Sequence, residues 1–205
     1  MKILIIGSSG TVGRRLTAHL SKTHRIVTAS RSSGDVRVDI RSRESIDRMF
    51  REAGSVGAGA IEACVCVAES GAMDDFQTLT DVQMLDNMQG KFFGQANLVL
   101  IGKQYLADGG SFTLTSGIFA DEAWKGVTTG GVISGALHSF VLSAAIELPR
   151  GLRINVVSPG LVEDSAAAYG HLFPGMAAVP METLVAAYAH CIEGSATGEI
   201  VRVYR

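Results

Sequence analysis

The chain has 205 residues, a length that suits one α/β domain with a substantial buried core. Its 18 lysines and arginines are outweighed by 20 acidic residues, and the net charge of −2 with no basic stripe gives nucleic-acid binding no electrostatic support. No apolar run approaches the length that spans a bilayer, and Lys2 precedes only a strand-length apolar run, without the longer hydrophobic region and cleavage site of a secretory leader, so the expected setting is cytoplasmic.

Ile3-Leu4-Ile5-Ile6 is short, fully apolar and β-branched in three of its four positions, which reads as a buried parallel strand. It ends in Gly7-Ser8-Ser9-Gly10-Thr11-Val12-Gly13, and a helical pattern follows with Val12, Leu16 and Leu20 on one face. Strand, glycine turn and helix form the unit that holds a dinucleotide pyrophosphate. Gly7 permits the tight turn, Gly10 lets the backbone approach phosphate, and Gly13 lets helix and strand pack closely. Ser9, Thr11 and Val12 lie between them and join them as candidate cofactor contacts. The spacing is Gly-x-x-Gly-x-x-Gly, so the flanking strand and helix carry the argument more than the glycines do.

Further strands are predicted at residues 25–29, 36–38, 61–67, 111–115, 152–157 and 199–203. Helices are predicted at 42–51, with Ser42 as its cap, at 82–105, interrupted by Gly90, Gly94 and Gly102, at 130–148, and at 180–191, with Pro180 near its first turn. Cys64 and Cys66 alternate within a strand and share one face. They read as packing residues, because no further ligands are arranged around them for a metal. Alternation of strand and helix through residues 1–205 predicts a single α/β domain, a doubly wound parallel sheet with helices on both faces.

Four blocks make the chain resemble the short-chain dehydrogenase/reductase family over essentially its whole length. They are the glycine turn, Asp39 after the third strand, Asn87-Met88-Gln89-Gly90, and Arg153-Ile154-Asn155-Val156-Val157-Ser158-Pro159-Gly160 shortly after Glu147-Leu148. The resemblance implies a Rossmann-type sheet of about seven strands with an NAD(P)(H) cleft at the strand C-termini. It places Pro159 and Gly160 beside the nicotinamide half of the cofactor and Asp39 near the adenine. Asp39 reads alternatively as a strand-end cap.

An NAD-selective site would carry Asp or Glu at the end of the second strand. This chain has Ser30-Arg31-Ser32-Ser33 there. Arg31 can pair with a 2′-phosphate and Ser32 or Ser33 can donate to it, so NADP(H) is the expected cofactor. The alternative is a solvated loop arginine. After the fourth strand the family has Asn-Asn-Ala-Gly, and this chain has Cys66-Val67-Ala68-Glu69, which puts Ala68 and Glu69 beside the cofactor.

The catalytic half departs from the family. Ser116 matches its serine, but the tyrosine and lysine of its Tyr-x-x-x-Lys fall on Gly130 and Ser134. No tyrosine lies between Tyr105 and Tyr169, and Lys125 is the last lysine. Ser116 and Asn87 are the remaining catalytic candidates. Asn87 organises a water chain in the family and reads equally as a helix residue bonded to backbone. Glu69 and Asp164, the latter where the family has a threonine, read as replacement acids or as solvated loop charges. Tyr169 and His171 are candidate proton donors. Trp124 reads as a ring-stacking residue or as a lid or interface anchor, and His138 as a residue packed or at an interface rather than a catalytic one.

Two classes of function follow. One is an NADP(H)-dependent oxidoreductase acting on a small molecule that needs no strong acid, such as a quinone, an iminium or a conjugated enone. The other is a dinucleotide-responsive binding protein, or an enzyme of another reaction type in the same cleft. The small residues of the two long helices, and the resemblance, imply a homodimer or homotetramer, with no membrane or nucleic-acid partner.

Overall fold

A computed structural model of the chain describes residues 1–68 and 73–204. The first strand, β1 (Lys2–Ile6), is buried along its whole length, which requires neighbours on both edges and both faces. It pairs in parallel with β2 (Arg25–Ser30) on one side and β4 (Ile61–Cys66) on the other. With β3 (Val36–Arg37), β5 (Leu106–Thr115), β6 (Arg153–Pro159) and β7 (Ile200–Val203), the strands form one parallel sheet in the order β3-β2-β1-β4-β5-β6-β7. The order reverses direction between β1 and β4, and a crevice opens at the strand C-termini there.

The period-two alternation of β1 divides the core. Leu4 and Ile6 join Phe50, Cys64, Cys66, Phe112, Leu137 and Val141 on one face. Ile3 and Ile5 join Leu16, Leu20, Val65, Leu184 and Tyr188 on the other. The first face is covered by α2 (Arg43–Ser55), α4 (Gln95–Gly102) and α5 (Thr128–Ala145), and the second by α1 (Thr11–Leu20) and α7 (Met181–Glu193). Ser42 caps α2 by accepting from the Ser45 N–H, as its sequence position predicts. Among the described residues no helix is long and apolar enough to cross a membrane.

The predicted helix at 82–105 is three segments. α3 (Asp81–Met88) leads into a π-helical stretch, Gln89–Gly94, and only then into α4. Two glycines along it sit in close packing. A Cβ on Gly94 would stand 2.9 Å from Ile40 Cγ1, and one on Gly102 2.5 Å from the Phe50 ring. α5 begins two residues earlier than predicted, because a distant carboxylate caps it: Asp74 accepts from the N–H groups of Thr128 (2.9 Å) and Thr129 (2.7 Å). β5 begins at Leu106, ahead of its predicted start, across a register shift against β4. The short helix α6 (Glu163–Tyr169) has no predicted counterpart.

Two outcomes follow from this packing. A Cβ on Gly13, in the first turn of α1, would lie 2.1 Å from the Gly7 carbonyl oxygen, inside any allowed contact. Gly13→Ala is therefore expected to lower unfolding free energy in urea by about 1–3 kcal/mol or more. Burial pushes the Asp74 carboxyl upward, but the hydrogen bonds from Thr129 and Thr128 outweigh it and hold its pKa below the usual value. A depressed folded pKa gives stability that is full above the unfolded value of about 3.9 and is lost as pH falls through the folded one. Urea unfolding from about pH 6 down to about pH 3 should show a smaller loss of stability in Asp74→Asn than in the parent.

Candidate active site

The turn between β1 and α1 is built from what its glycines lack. Gly7 has φ +86°, and a Cβ there would stand 2.6 Å from the Ala68 backbone nitrogen. Gly10 occupies the N-cap position of α1, no described side chain caps it, and the first turn holds no acidic residue. The first N–H groups of the helix are thus left for a ligand, with the positive end of the helix dipole unopposed. They border a cavity of about 510 Å³ lined by Gly7, Ser9, Gly10, Thr11, Val12, Arg31, Ser32, Val38, Ile40 and Ala68, among others. Gly13 is buried beneath the turn and fixes the helix against it.

At the end of β2 the backbone is held by its own side chains. The Ser33 N–H donates to Ser30 Oγ (3.0 Å), whose hydroxyl donates to the Ser33 carbonyl (2.6 Å). Asp35 is drawn back: its carboxylate accepts from the Thr28 N–H (2.8 Å) and hydroxyl (2.7 Å), and these bonds hold its pKa below the usual range. The acid of this loop is therefore engaged by Thr28, while Arg31 and Ser32 stand exposed on the cavity rim. Asp39 is exposed and caps locally, accepting from the Arg41 N–H (3.0 Å). Its neighbours Val38 and Ile40 form the cavity wall.

A second cavity of about 360 Å³ shares Val12, Ser165 and Tyr169 with the first. Pro159 and Gly160 line it at the end of β6, as do Ser116, Gly130 and Ser134. Most of the remaining wall is apolar, with Ile118, Phe119, Val127, Leu161, Leu172, Phe173 and Met176. Ser116 is buried and its hydroxyl donates to the Ser134 carbonyl (3.2 Å). A Cβ on Gly130 would sit 3.5 Å from Phe119 Cδ2, an ordinary contact, so this glycine leaves space rather than relieving a clash.

Other candidates lie elsewhere. Asn87 is half-buried on the last turn of α3 and lines neither cavity. Asp164 pairs with Arg15 on the surface (3.1 Å). Trp124 packs edge-on against Phe173, with ring centroids 5.7 Å apart, and so buttresses the second cavity from behind. His171 is exposed and lines neither cavity. His138 is buried in α5, where burial lowers its pKa against the opposing charge of Asp121. Asp121 itself is held at about 2, first by Arg202 and then by Tyr204. Glu69 lies outside the described residues.

Sequence reasoning missed Lys91, a half-buried residue of the π-helical stretch that lines the second cavity. Its position directly after the Asn87-Met88-Gln89-Gly90 block was the available signal.

A family model described as enoyl-(acyl carrier protein) reductase matches residues 12–186. The solved structure of the protein lin1944 from Listeria innocua is similar at 39% sequence identity and a TM-score of 0.94, covering 100% of both chains. A small-chain dehydrogenase in complex with NADPH is similar in fold at 24% identity and a TM-score of 0.84, covering 99% of this chain and 96% of that one. BdcA in complex with NADPH is similar in fold at 17% identity and a TM-score of 0.83, covering 98% and 92%. No curated protein gives a significant match. The family match across most of the chain agrees with the parallel sheet, the glycine turn and the paired cavities, and the chain belongs to the short-chain dehydrogenase/reductase family.

Proposed function

We propose that this protein is an NADP(H)-dependent oxidoreductase whose proton source differs from the family's tyrosine–lysine pair. One observation carries the cofactor reading. The uncapped first turn of α1 borders a cavity whose rim bears Arg31 and Ser32, while Asp35 is engaged by Thr28. The cradle fits a pyrophosphate, since a Cβ at Gly7 would collide with the Ala68 backbone and the helix start carries no acid to repel phosphate. The backbone of Gly7, Ser9, Gly10, Thr11, Val12 and Gly13 would hold that group. Arg31 and Ser32 would take a 2′-phosphate, Val38 and Ile40 would pack on the adenine, and Ala68 would lie beneath the cofactor. Pro159 and Gly160 would border the nicotinamide, which when reduced supplies a hydride. The NADPH complexes of two structural neighbours support the same reading.

The chain's own residues set the limits of the chemistry. Gly130 offers no proton, Ser134 no charge, and the Ser116 hydroxyl is engaged with the Ser134 carbonyl. A serine positions a carbonyl better than it protonates one. Reduction of simple ketones is therefore weak, and the apolar second cavity favours an apolar molecule whose reduction needs little acid, such as a conjugated enone or a quinone. The same departure supports the second reading, a dinucleotide-responsive protein without turnover. Exposed Leu100, Leu142 and Ile146 on and beside α4 and α5 support self-association through these helices, and we infer a cytoplasmic homo-oligomer.

Calorimetric titration is expected to show tighter binding of NADPH than NADH. Arg31→Ala should reduce NADPH affinity about ten- to a hundredfold, the value of a charge-assisted phosphate contact, and leave NADH unchanged. Equal affinities in the parent would overturn the assignment of NADP(H). The proton-source reading has a constructive test in Gly130→Tyr combined with Ser134→Lys, since the Gly130 position accepts a Cβ at ordinary contact distance. NADPH-dependent ketone reduction should rise by about 10²-fold or more. A double variant that folds, binds NADPH and gains nothing would favour the non-redox reading.

A further inference from the structure

Ser134 is a residue of α5 only 2% exposed, yet it lines the second cavity. Its backbone carbonyl accepts from the Ser116 hydroxyl (3.2 Å), so the proton of Ser116 is committed. The Ser134 hydroxyl has no hydrogen-bond partner among the described residues and is not sealed from solvent. A polar group buried this far costs free energy unless something in the cavity pairs with it. Gly117 locates that hydroxyl. A Cβ built on Gly117 would have Ser134 Oγ (3.5 Å), Phe119 Cδ2 (3.9 Å) and the Pro159 carbonyl oxygen (3.9 Å) as its nearest neighbours. All four residues line the second cavity. With only hydrogen at Gly117, the space in front of the Ser134 hydroxyl stays open.

We propose that the Ser134 hydroxyl donates the hydrogen bond that holds the carbonyl oxygen of an aromatic ketone or aldehyde in the second cavity. The assignment rests on the oxidoreductase reading only in taking that cavity as the site of a small molecule, and it concerns binding rather than turnover. Of the two serines that meet here, Ser134 is the one with a proton to give, because Ser116 has given its own to the Ser134 carbonyl. A carbonyl oxygen needs a donor and supplies none, so it pairs with this hydroxyl without leaving a donor of its own unmet. The rest of the wall suits a ring. Phe119 and Phe173 stand with ring centroids 5.5 Å apart, and Leu161, Leu172 and Met176 continue the apolar surface. The Phe119 ring edge and the Ser134 hydroxyl border the same open point in front of Gly117, so a carbonyl attached to a ring reaches both at once.

The test compares two probes of nearly the same shape. Acetophenone carries a carbonyl on a ring, and α-methylstyrene has a methylene group in place of the oxygen. Calorimetry with and without NADP⁺ gives the affinity of each. Ser134→Ala should weaken acetophenone about three- to tenfold, the value of one neutral hydrogen bond, and leave α-methylstyrene and NADPH unchanged. Ser134→Thr should keep the parent's ratio between the two probes. Gly117→Ala gives an independent arm. Gly117 has φ −173°, extended backbone that any residue adopts, and the added methyl would stand in front of the Ser134 hydroxyl. That variant should fold and weaken acetophenone about threefold or more. A folded Ser134→Ala that weakens both probes equally or neither, or a Gly117→Ala that binds acetophenone like the parent, overturns the assignment. So does a Ser134→Ala that loses NADPH affinity, since the hydroxyl would then serve the cofactor. A parent that binds NADPH and neither probe overturns it too, and leaves the cofactor reading intact. A parent that shows the Ser134-dependent contact but binds no NADPH supports the assignment and removes the oxidoreductase reading.

Discussion

The approach of α1 to the end of β1 is the constraint on which the cleft depends. With hydrogen in place of a side chain at Gly13, the helix packs directly onto the Gly7 carbonyl. The turn is then fixed from both sides. The Gly7 N–H donates to the Ala29 carbonyl at the end of β2 (2.9 Å), and the Val67 N–H donates to the Ile6 carbonyl from the end of β4 (2.9 Å). A helix start locked between two strand ends at the reversal point of the sheet has its unpaired N–H groups directed outward by construction. The position of the cavity requires no further device at this end.

The far end of the cleft is held differently, by buried polar side chains that tie strands to helices. Asn155, fully buried in β6, donates to the Ala196 carbonyl (2.9 Å) and accepts from the Glu199 N–H (2.9 Å), so it fixes the approach to β7. Arg153 donates to the carbonyls of Cys191, Ile192 and Ala196, which closes the C-terminal end of α7, where cationic donors are favourable. These bonds set where β6 ends, and Pro159 and Gly160 with it. Gln95 performs the same task between α4 and β5. Each is a side chain whose bonds are satisfied inside the core, where leaving either partner unmade would cost about 1–3 kcal/mol.

What could be read in the sequence is what is local. The apolar run of β1, the glycine offsets, the Ser42 cap and the absence of an acid at the end of β2 each lie within a few residues of their consequence. What could not be read depends on contacts across the chain. The packing of Ile40 against Gly94 joins residues far apart in the chain, and the start of α5 answers to Asp74, 54 residues away. Helix α6 has only seven residues, no side-chain cap among the described residues and no buried position, so it carries no periodic signal to detect. Lys91 was passed over for a related reason. It lines the second cavity from a turn whose backbone is held by Gln95, a contact its local sequence does not announce.

Two features of the second cavity bear on one another. Gly130 and Ser134 of α5 border it, and a Cβ on Gly130 would reach Phe119 only at ordinary contact distance, so the helix leaves volume there. The wall beside that volume is largely apolar, with Phe119, Leu161 and Phe173, which favours an apolar occupant. On another side the backbone of the π-helical stretch is clamped by Gln95 to the strand end that precedes Ser116. Open volume on one side and a fixed backbone on the other are thus set by different elements, α5 and the end of β5, which meet where the Ser116 hydroxyl donates to the Ser134 carbonyl.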